Sequence, residues 1–222
     1  MKKLTTIIIF IALANCAAAQ QKYFAFNSKV KVGLADTLGN KVNFLSKSKG
    51  FTHMVMQVKG DLNKDGLADL AIVKQDTLAD TSPYRLQVFF AKPNGEYKLI
   101  VSSTKIIDAE YPSGKGYARS DAGFDKIAIK NNVLTIINQL TRGSFSHKFR
   151  YQNGNFELIG FTQTYSDGQG TLTYEDFNLS TGIRIYKAER YDTGDVITNK
   201  KTKKLIRPLP KLQDFVPFEN EL

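Results

Sequence analysis

The sequence has one cysteine, no tryptophan and only two histidines among its 222 residues. A single cysteine cannot form a disulfide within the chain, so the fold must be stabilised by its apolar core. No zinc signature and no nucleophile elbow is present, which removes the commonest sequence evidence for hydrolytic chemistry. The lack of tryptophan also makes a sugar-stacking module less expected, although tyrosine can take the same role.

Residues 1–20 have the three parts of a secretory signal. Two lysines follow the first methionine, residues 4–14 are almost entirely apolar, and residues 17–20 supply small side chains for cleavage. The apolar run is too short to remain in a bilayer as a permanent anchor. We therefore predict cleavage after Ala19 or Gln20 and a periplasmic or secreted product, as in a Gram-negative bacterium.

Cys16 raises the alternative of a lipoprotein. The residues from Leu13 to Cys16 are close to a lipobox, in which the cysteine would be acylated and would become the first residue of the mature chain. Asn15 stands where a smaller residue is usual, whereas the alanines that follow Cys16 suit ordinary cleavage. We favour ordinary cleavage, which would leave the mature chain without cysteine.

The chain is basic, with a formal net charge of +10 at pH 7. Loss of Lys2 and Lys3 with the signal would leave a charge of +8. Such a protein is attracted to anionic surfaces, which include acidic polysaccharides, lipid headgroups and acidic proteins. Nucleic acid is not an expected partner, because the chain is predicted to be exported and carries no nucleic-acid-binding motif.

Residues 60–70 carry oxygen-bearing side chains at the spacing of a calcium loop. Acidic or amide side chains occupy loop positions 1, 3, 5 and 9, and Gly66 occupies position 6, where a sharp turn is needed. A bare cluster of like charges costs folding free energy, and a hard cation would remove that cost. The predicted ligands are Asp61, Asn63, Asp65, the Leu67 carbonyl and Asp69. Position 12, a glutamate in an EF-hand, is Ile72 here, so the loop leads into a strand.

The same stretch resembles the FG-GAP/VCBS-type repeat, which occurs in integrin α-chain propellers and in many exported bacterial proteins. The resemblance rests on residues 60–70 and the apolar strand that follows, and extends over residues 55–101 at most. It implies a calcium-binding hairpin loop between two antiparallel strands. Propellers of this family carry several such motifs, whereas this chain has one. The alternative is a hairpin turn rich in Asp, Asn and Gly that binds no metal.

The remaining pattern predicts an all-β protein, an antiparallel meander of about a dozen strands. Paired apolar runs are separated by turn residues, and on residues 144–151 aromatic side chains alternate with polar ones. Such strands could form propeller-like blades or two packed sheets. We assign residues 21–199 to this domain, with a division between two sheets near residues 108–124.

Residues 200–222 form a basic C-terminal segment. It contains six cationic side chains, namely Lys200, Lys201, Lys203, Lys204, Arg207 and Lys211. Its apolar side chains are too numerous for a disordered tail, so residues 205–218 are predicted to lie as an extended strap against the sheet. The lysines would then form the main positive surface of the molecule.

Together these patterns predict an exported, calcium-binding, non-catalytic protein of the cell envelope. Its partner would be another envelope protein or an anionic glycan. The alternative is an envelope enzyme, or an enzyme or toxin inhibitor of the immunity-protein type, with a site near residues 108–124. Tyr117, Arg119 and Asp121 are the candidate residues for that site. The two histidines are predicted to be structural, since a lone histidine on an aromatic strand face is usually packed.

Overall fold

The computed structural model describes residues 50–219 and residue 222. The predicted signal, Cys16 and the first part of the assigned domain lie outside the described residues. Within them the chain forms eleven β-strands and no helix, as expected for an all-β protein. None of the described residues belongs to a helix able to cross a membrane.

The first four strands form an antiparallel sheet in the order β1-β2-β3-β4. Their bounds are β1 His53–Gly60, β2 Asp69–Gln75, β3 Tyr84–Ala91 and β4 Tyr97–Ser103. Strand β2 is the central apolar strand of this sheet, and its residues from Asp69 to Val73 are all buried. The calcium-loop motif lies between β1 and β2, at the end of the sheet where Gly60 pairs with Asp69.

The other seven strands form a second antiparallel sheet in the order β11-β10-β9-β8-β7-β6-β5. Their bounds are β5 Gly123–Lys130, β6 Val133–Leu140, β7 Gly143–Gln152, β8 Asn155–Ser166, β9 Thr171–Asn178, β10 Ile183–Arg190 and β11 Val196–Lys203. The prediction of an antiparallel meander is confirmed. Of the two arrangements considered, the structure has two sheets, and they do not close into a barrel.

Short turns set the register of the second sheet. Asn131 and Asn132 join β5 to β6 with φ of 52° and 60°, and Asn153 and Gly154 join β7 to β8 with φ of 53° and 74°. Two consecutive positive φ values match the twist of the strands on either side. Asparagine and glycine adopt this conformation at low cost, which is why these pairs predict tight hairpins.

The core lies on one face of the second sheet. On β7, Phe145, His147 and Phe149 are buried on the same face, as their alternation in sequence predicts. Phe145 and Phe149 belong to an apolar cluster that also contains Val73 and Leu86 from the first sheet. A single apolar core therefore connects both sheets and the C-terminal segment.

The C-terminal segment continues this core. Leu212 and Phe215 are buried, with Phe215 packed edge-on to His147 at 4.9 Å between ring centroids. The segment also adds to the sheet, because Leu158 N–H donates to the Pro210 carbonyl at 2.8 Å and Leu212 N–H donates to the Phe156 carbonyl at 2.9 Å. It thus flanks the first half of β8.

Strand β11 changes the assignment of the terminal lysines. Lys200, Lys201 and Lys203 belong to this edge strand, so the strap begins only after it. The sequence of β11 combines small β-branched residues with lysines and has no regular apolar alternation. Lysines on an edge strand oppose its pairing with strands of other chains. A strand with this composition needs few apolar contacts.

Candidate functional site

The loop between β1 and β2 is folded around the carboxylate of Asp61. Lys64 N–H donates to Asp61 Oδ1 at 2.6 Å, and Gly66 N–H donates to Asp61 Oδ2 at 3.1 Å. The turn needs left-handed backbone at both donors, with φ of 69° at Lys64 and 82° at Gly66. Glycine at position 66 meets this need without strain, and a side chain there would face open space.

Asn63 and Asp65 form the outer part of the loop. The Asn63 amide donates to Asp65 Oδ2 at 2.8 Å, and Leu67 N–H donates to Asp65 Oδ1 at 2.8 Å. Both contacts are exposed, so these oxygens can exchange a hydrogen bond for another ligand without a large desolvation cost. The structure therefore places three of the predicted ligands, Asp61, Asn63 and Asp65, on one exposed turn.

Asp69 has a different environment from the other predicted ligands. It is fully buried, and both carboxylate oxygens accept backbone hydrogen bonds: Leu62 N–H donates to Oδ2 at 2.8 Å and Ala91 N–H donates to Oδ1 at 2.9 Å. Burial raises the pKa of Asp69, the two N–H donors lower it, and the nearby charges of Asp65 and Asp61 raise it again. The side chain thus ties the loop to the end of β3.

The loop is also held by the second sheet. The Asn132 amide, from the turn between β5 and β6, donates to the Asp61 carbonyl at 2.9 Å. Leu62 is buried in the core shared by both sheets. Gly60 lies so close to Ile129 that a Cβ there would approach its side chain within 2.6 Å. The loop is therefore part of the junction between the sheets.

The chemistry of this loop suits a hard divalent cation. Its side chains supply carboxylate and amide oxygens, which are the ligands that Ca²⁺ prefers, and the Leu67 carbonyl follows at position 7. Among the residues described, no group of three or more His, Cys, Asp or Glu side chains is drawn together around one point. Ligation would therefore require the side chains of Asp61, Asn63 and Asp65 to draw closer together. It does not require loss of the loop's hydrogen bonds, because a carboxylate oxygen that accepts one N–H keeps a second lone pair.

The segment 108–124 borders a small cavity of about 210 Å³. Arg119 lines it and forms an ion pair with Glu110, while the Gln75 amide donates to the other Glu110 oxygen at 2.8 Å. Tyr117 and Asp121 are exposed and do not line it. The structure thus brings one of the three candidate residues of the alternative site to this cavity.

Three other groups in this cavity are not among the candidate residues named from the sequence. Tyr84 lies on β3, and Asp108 and Glu110 lie on the connection between the sheets. Burial raises the pKa of Asp108, and the charge of Glu219 raises it further. The cavity is smaller than the roughly 300–1,000 Å³ typical of small-molecule sites.

Neither histidine belongs to the loop between β1 and β2, and neither lines the cavity near Asp108. His53 is exposed at the start of β1. His147 is buried among Phe145, Phe161 and Phe215, and burial lowers its pKa to about 4. A neutral, enclosed imidazole cannot exchange protons with a substrate at the surface.

Comparison with models of protein families, with curated proteins and with solved structures finds no match to this chain.

Proposed function

We propose that this chain is an exported calcium-binding protein of the cell envelope, and that it binds a partner without catalysing a reaction. The partner is an anionic glycan or another envelope protein. The observation that carries the proposal is the β1–β2 loop, which concentrates oxygen ligands on an exposed turn and is anchored to both sheets. The net positive charge supports an acidic partner.

In the proposed site, the ion would be held by the side-chain oxygens of Asp61, Asn63 and Asp65 and by the Leu67 carbonyl. Asp69 would contribute its negative charge from its buried position beside the loop. Its oxygens already accept hydrogen bonds from the N–H groups of Leu62 and Ala91. Calcium would offset the repulsion among these carboxylates and rigidify the loop. Because the loop is joined to both sheets, binding would stabilise their junction by mass action.

The small cavity near Asp108 supports a binding role over the alternative of an enzyme or inhibitor site. Its one arginine is already paired with Glu110, and Glu110 also accepts a hydrogen bond from Gln75. General acid–base catalysis needs a titratable group within hydrogen-bond reach of a substrate. The cavity is small, and its charged groups Arg119 and Glu110 are already paired, so both features disfavour a substrate complex there.

Calcium is expected to bind the protein and raise its melting temperature. At a free calcium concentration of 100 Kd the stabilisation is about 2.7 kcal/mol, which corresponds to a rise of roughly 5–10 °C for a chain of this size. Isothermal titration calorimetry and thermal unfolding, each with calcium and with a chelator, measure this effect.

The double variant Asp61→Asn/Asp65→Asn should lose the calcium response. The matched control is Asp121→Asn/Asp192→Asn, which removes two exposed carboxylates elsewhere and should respond as the unaltered protein does. Absence of both heat and thermal shift at millimolar calcium would overturn the metal assignment. An unchanged response in the Asp61/Asp65 variant would place the ion at a different site.

A further inference from the structure

Five parts of the chain meet at one end of the seven-stranded sheet. Here β7 ends, β8 begins, β9 turns into β10, and β11 ends beside that turn. Lys204 N–H donates to the Gly182 carbonyl at 2.8 Å. The Arg207 guanidinium donates to the Leu179 carbonyl at 3.0 Å and to the Ser180 carbonyl at 2.8 Å. The strap is thereby held against the turn, and its cationic group is fixed there.

A cavity of about 430 Å³ opens at this end of the sheet. Its polar lining consists of two guanidinium groups, two amides, a hydroxyl and one carboxylate, from Arg150, Arg207, Gln152, Asn153, Ser180 and Glu157. The carboxylate is held by its neighbours, since the Gln152 amide donates to Glu157 Oε2 at 2.6 Å. Positive charge therefore exceeds negative charge in the lining.

The register of the strands places further cations on the outer face of the sheet, which is the face opposite to the apolar core. Lys203 is opposite Ile183, Ile183 is opposite Asn178, Asn178 is opposite Gly160, and Gly160 is opposite Lys148. Directly opposite residues share a face, so the two lysines lie on the same side of the sheet, about 19 Å apart at 4.8 Å per strand.

Two more cations lie on that side. Arg150 is two residues beyond Lys148 on β7, and Lys201 is two residues before Lys203 on β11, so the alternation of strands puts both on the outer face. Strand β11 has no acidic residue, and both of its outer-face lysines are exposed. The outer face thus carries four cations, Lys201 and Lys203 at the free edge and Lys148 and Arg150 beside the cavity, which we call the band. The residues between Lys203 and Lys148 in the register are uncharged, and one carboxylate, Asp176, lies on the same face opposite Ile185, so cations outnumber carboxylates along the band.

We propose that this band and cavity form a binding site for an acidic polysaccharide. One sugar unit would occupy the cavity, with its carboxylate or sulfate group between Arg150 and Arg207 and its hydroxyls on Gln152, Asn153 and Ser180. The chain would continue across the sheet toward Lys203 and Lys201. This inference rests on the proposed binding role and specifies its partner.

The lining favours a glycan over an acidic polypeptide. Amide and hydroxyl side chains beside a fixed guanidinium suit a ligand that presents both hydroxyls and an anionic group. The volume lies within the roughly 300–1,000 Å³ range of small-molecule sites, so this open cavity has room for one sugar unit. The lysines of the band are flexible point charges, which tolerate variable spacing of anionic groups along a chain.

The test compares two triple variants that lose the same charge. Arg150→Gln/Lys201→Gln/Lys203→Gln alters the band, and none of these side chains is needed for a described hydrogen bond. Lys98→Gln/Lys105→Gln/Lys126→Gln is the control, with exposed lysines elsewhere. Binding of oligogalacturonate, which carries only carboxylates, and of heparin, which is sulfated, is measured by calorimetry at 0.15 M salt, with calcium and with a chelator.

We expect binding of at least one glycan, a loss of affinity of tenfold or more in the band variant, and a loss of no more than about twofold in the control. Preference between the probes identifies carboxylate or sulfate. Equal losses in both variants, no binding of either glycan, or equally tight binding of poly-glutamate would each overturn the assignment. Glycan binding that persists in chelator would leave it standing even if the calcium titration failed, so the two proposals fail separately.

Discussion

Replacement of Asp69 by alanine is expected to lower the free energy of unfolding by about 4 kcal/mol, since it leaves two N–H donors without an acceptor at about 1–3 kcal/mol each. The donors are those of Leu62 and Ala91, and the aspartate is fully buried. The loss should be seen in chelator as well as in calcium, because these hydrogen bonds are made by the protein itself. Urea unfolding followed by circular dichroism measures it.

Asp65→Ala is the matched control in the same loop. Asp65 is exposed, and its hydrogen bonds come from an exposed amide and an exposed N–H. Its removal in chelator should change the free energy of unfolding by about 0.5 kcal/mol or less, while it should weaken calcium binding. If the Asp69 and Asp65 variants were equally stable in chelator, the role of Asp69 as an internal acceptor would be refuted.

Acid is expected to destabilise the protein through His147. Burial lowers the pKa of His147 to about 4, from about 6.5 in an unfolded chain. Below pH 6.5 the unfolded state takes up a proton that the folded state does not bind, so the stability present above pH 6.5 is lost as the pH falls toward 4. The loss attributable to this group is about 3 kcal/mol at pH 4.

His147→Phe should remove this part of the pH dependence. Phenylalanine keeps an aromatic ring among Phe145, Phe161 and Phe215, and it has no proton to gain. His53→Gln is the control, because His53 is exposed and should leave the profile unchanged. The measurement is the free energy of unfolding between pH 4 and pH 7.5. A profile that is equally steep in the His147 variant would assign acid sensitivity to other groups.

The location of His147 relates this prediction to the C-terminal strap. Phe215 of the strap packs against the His147 ring, and Nδ1 of that ring has no hydrogen-bond partner within the described part of the chain. A charged imidazole at this position would be removed from bulk water by burial, and among the described residues no acidic group acts on its pKa. Acid should therefore first loosen the contact between the strap and the sheet, and fluorescence of a label on Lys211 can report this.

The hairpins of the second sheet were predictable because their causes are local. Two asparagines between β5 and β6, and asparagine followed by glycine between β7 and β8, adopt left-handed backbone wherever they occur. The alternation on β7 likewise assigned Phe145 and Phe149 to the buried face. The sequence does not predict strand β11, because its lysines and threonines are typical of a polar tail. It is a strand because it pairs with β10.

The candidate site likewise combines features that the local sequence predicts with features that only the folded chain produces. The oxygen-bearing side chains of the calcium-type loop and their spacing are legible in residues 60–70, because a loop of consecutive residues is shaped by local turns. The contacts from Ala91 and Asn132 join residues 22 and 71 positions apart, and no local pattern indicates them. The distinction between Asp69 and the exposed ligands therefore required the folded chain.

The sequence by itself determined the all-β class, the hairpin turns and the presence of a loop rich in oxygen ligands. These depend on alternation, backbone preference and side-chain chemistry over a few residues. Only the tertiary structure decided that Asp69 is buried, that His147 lies beneath the strap, and that Arg150 and Arg207 line one cavity. The reason is physical: burial and charge proximity arise from strand register and sheet packing, which bring together residues that are distant along the chain.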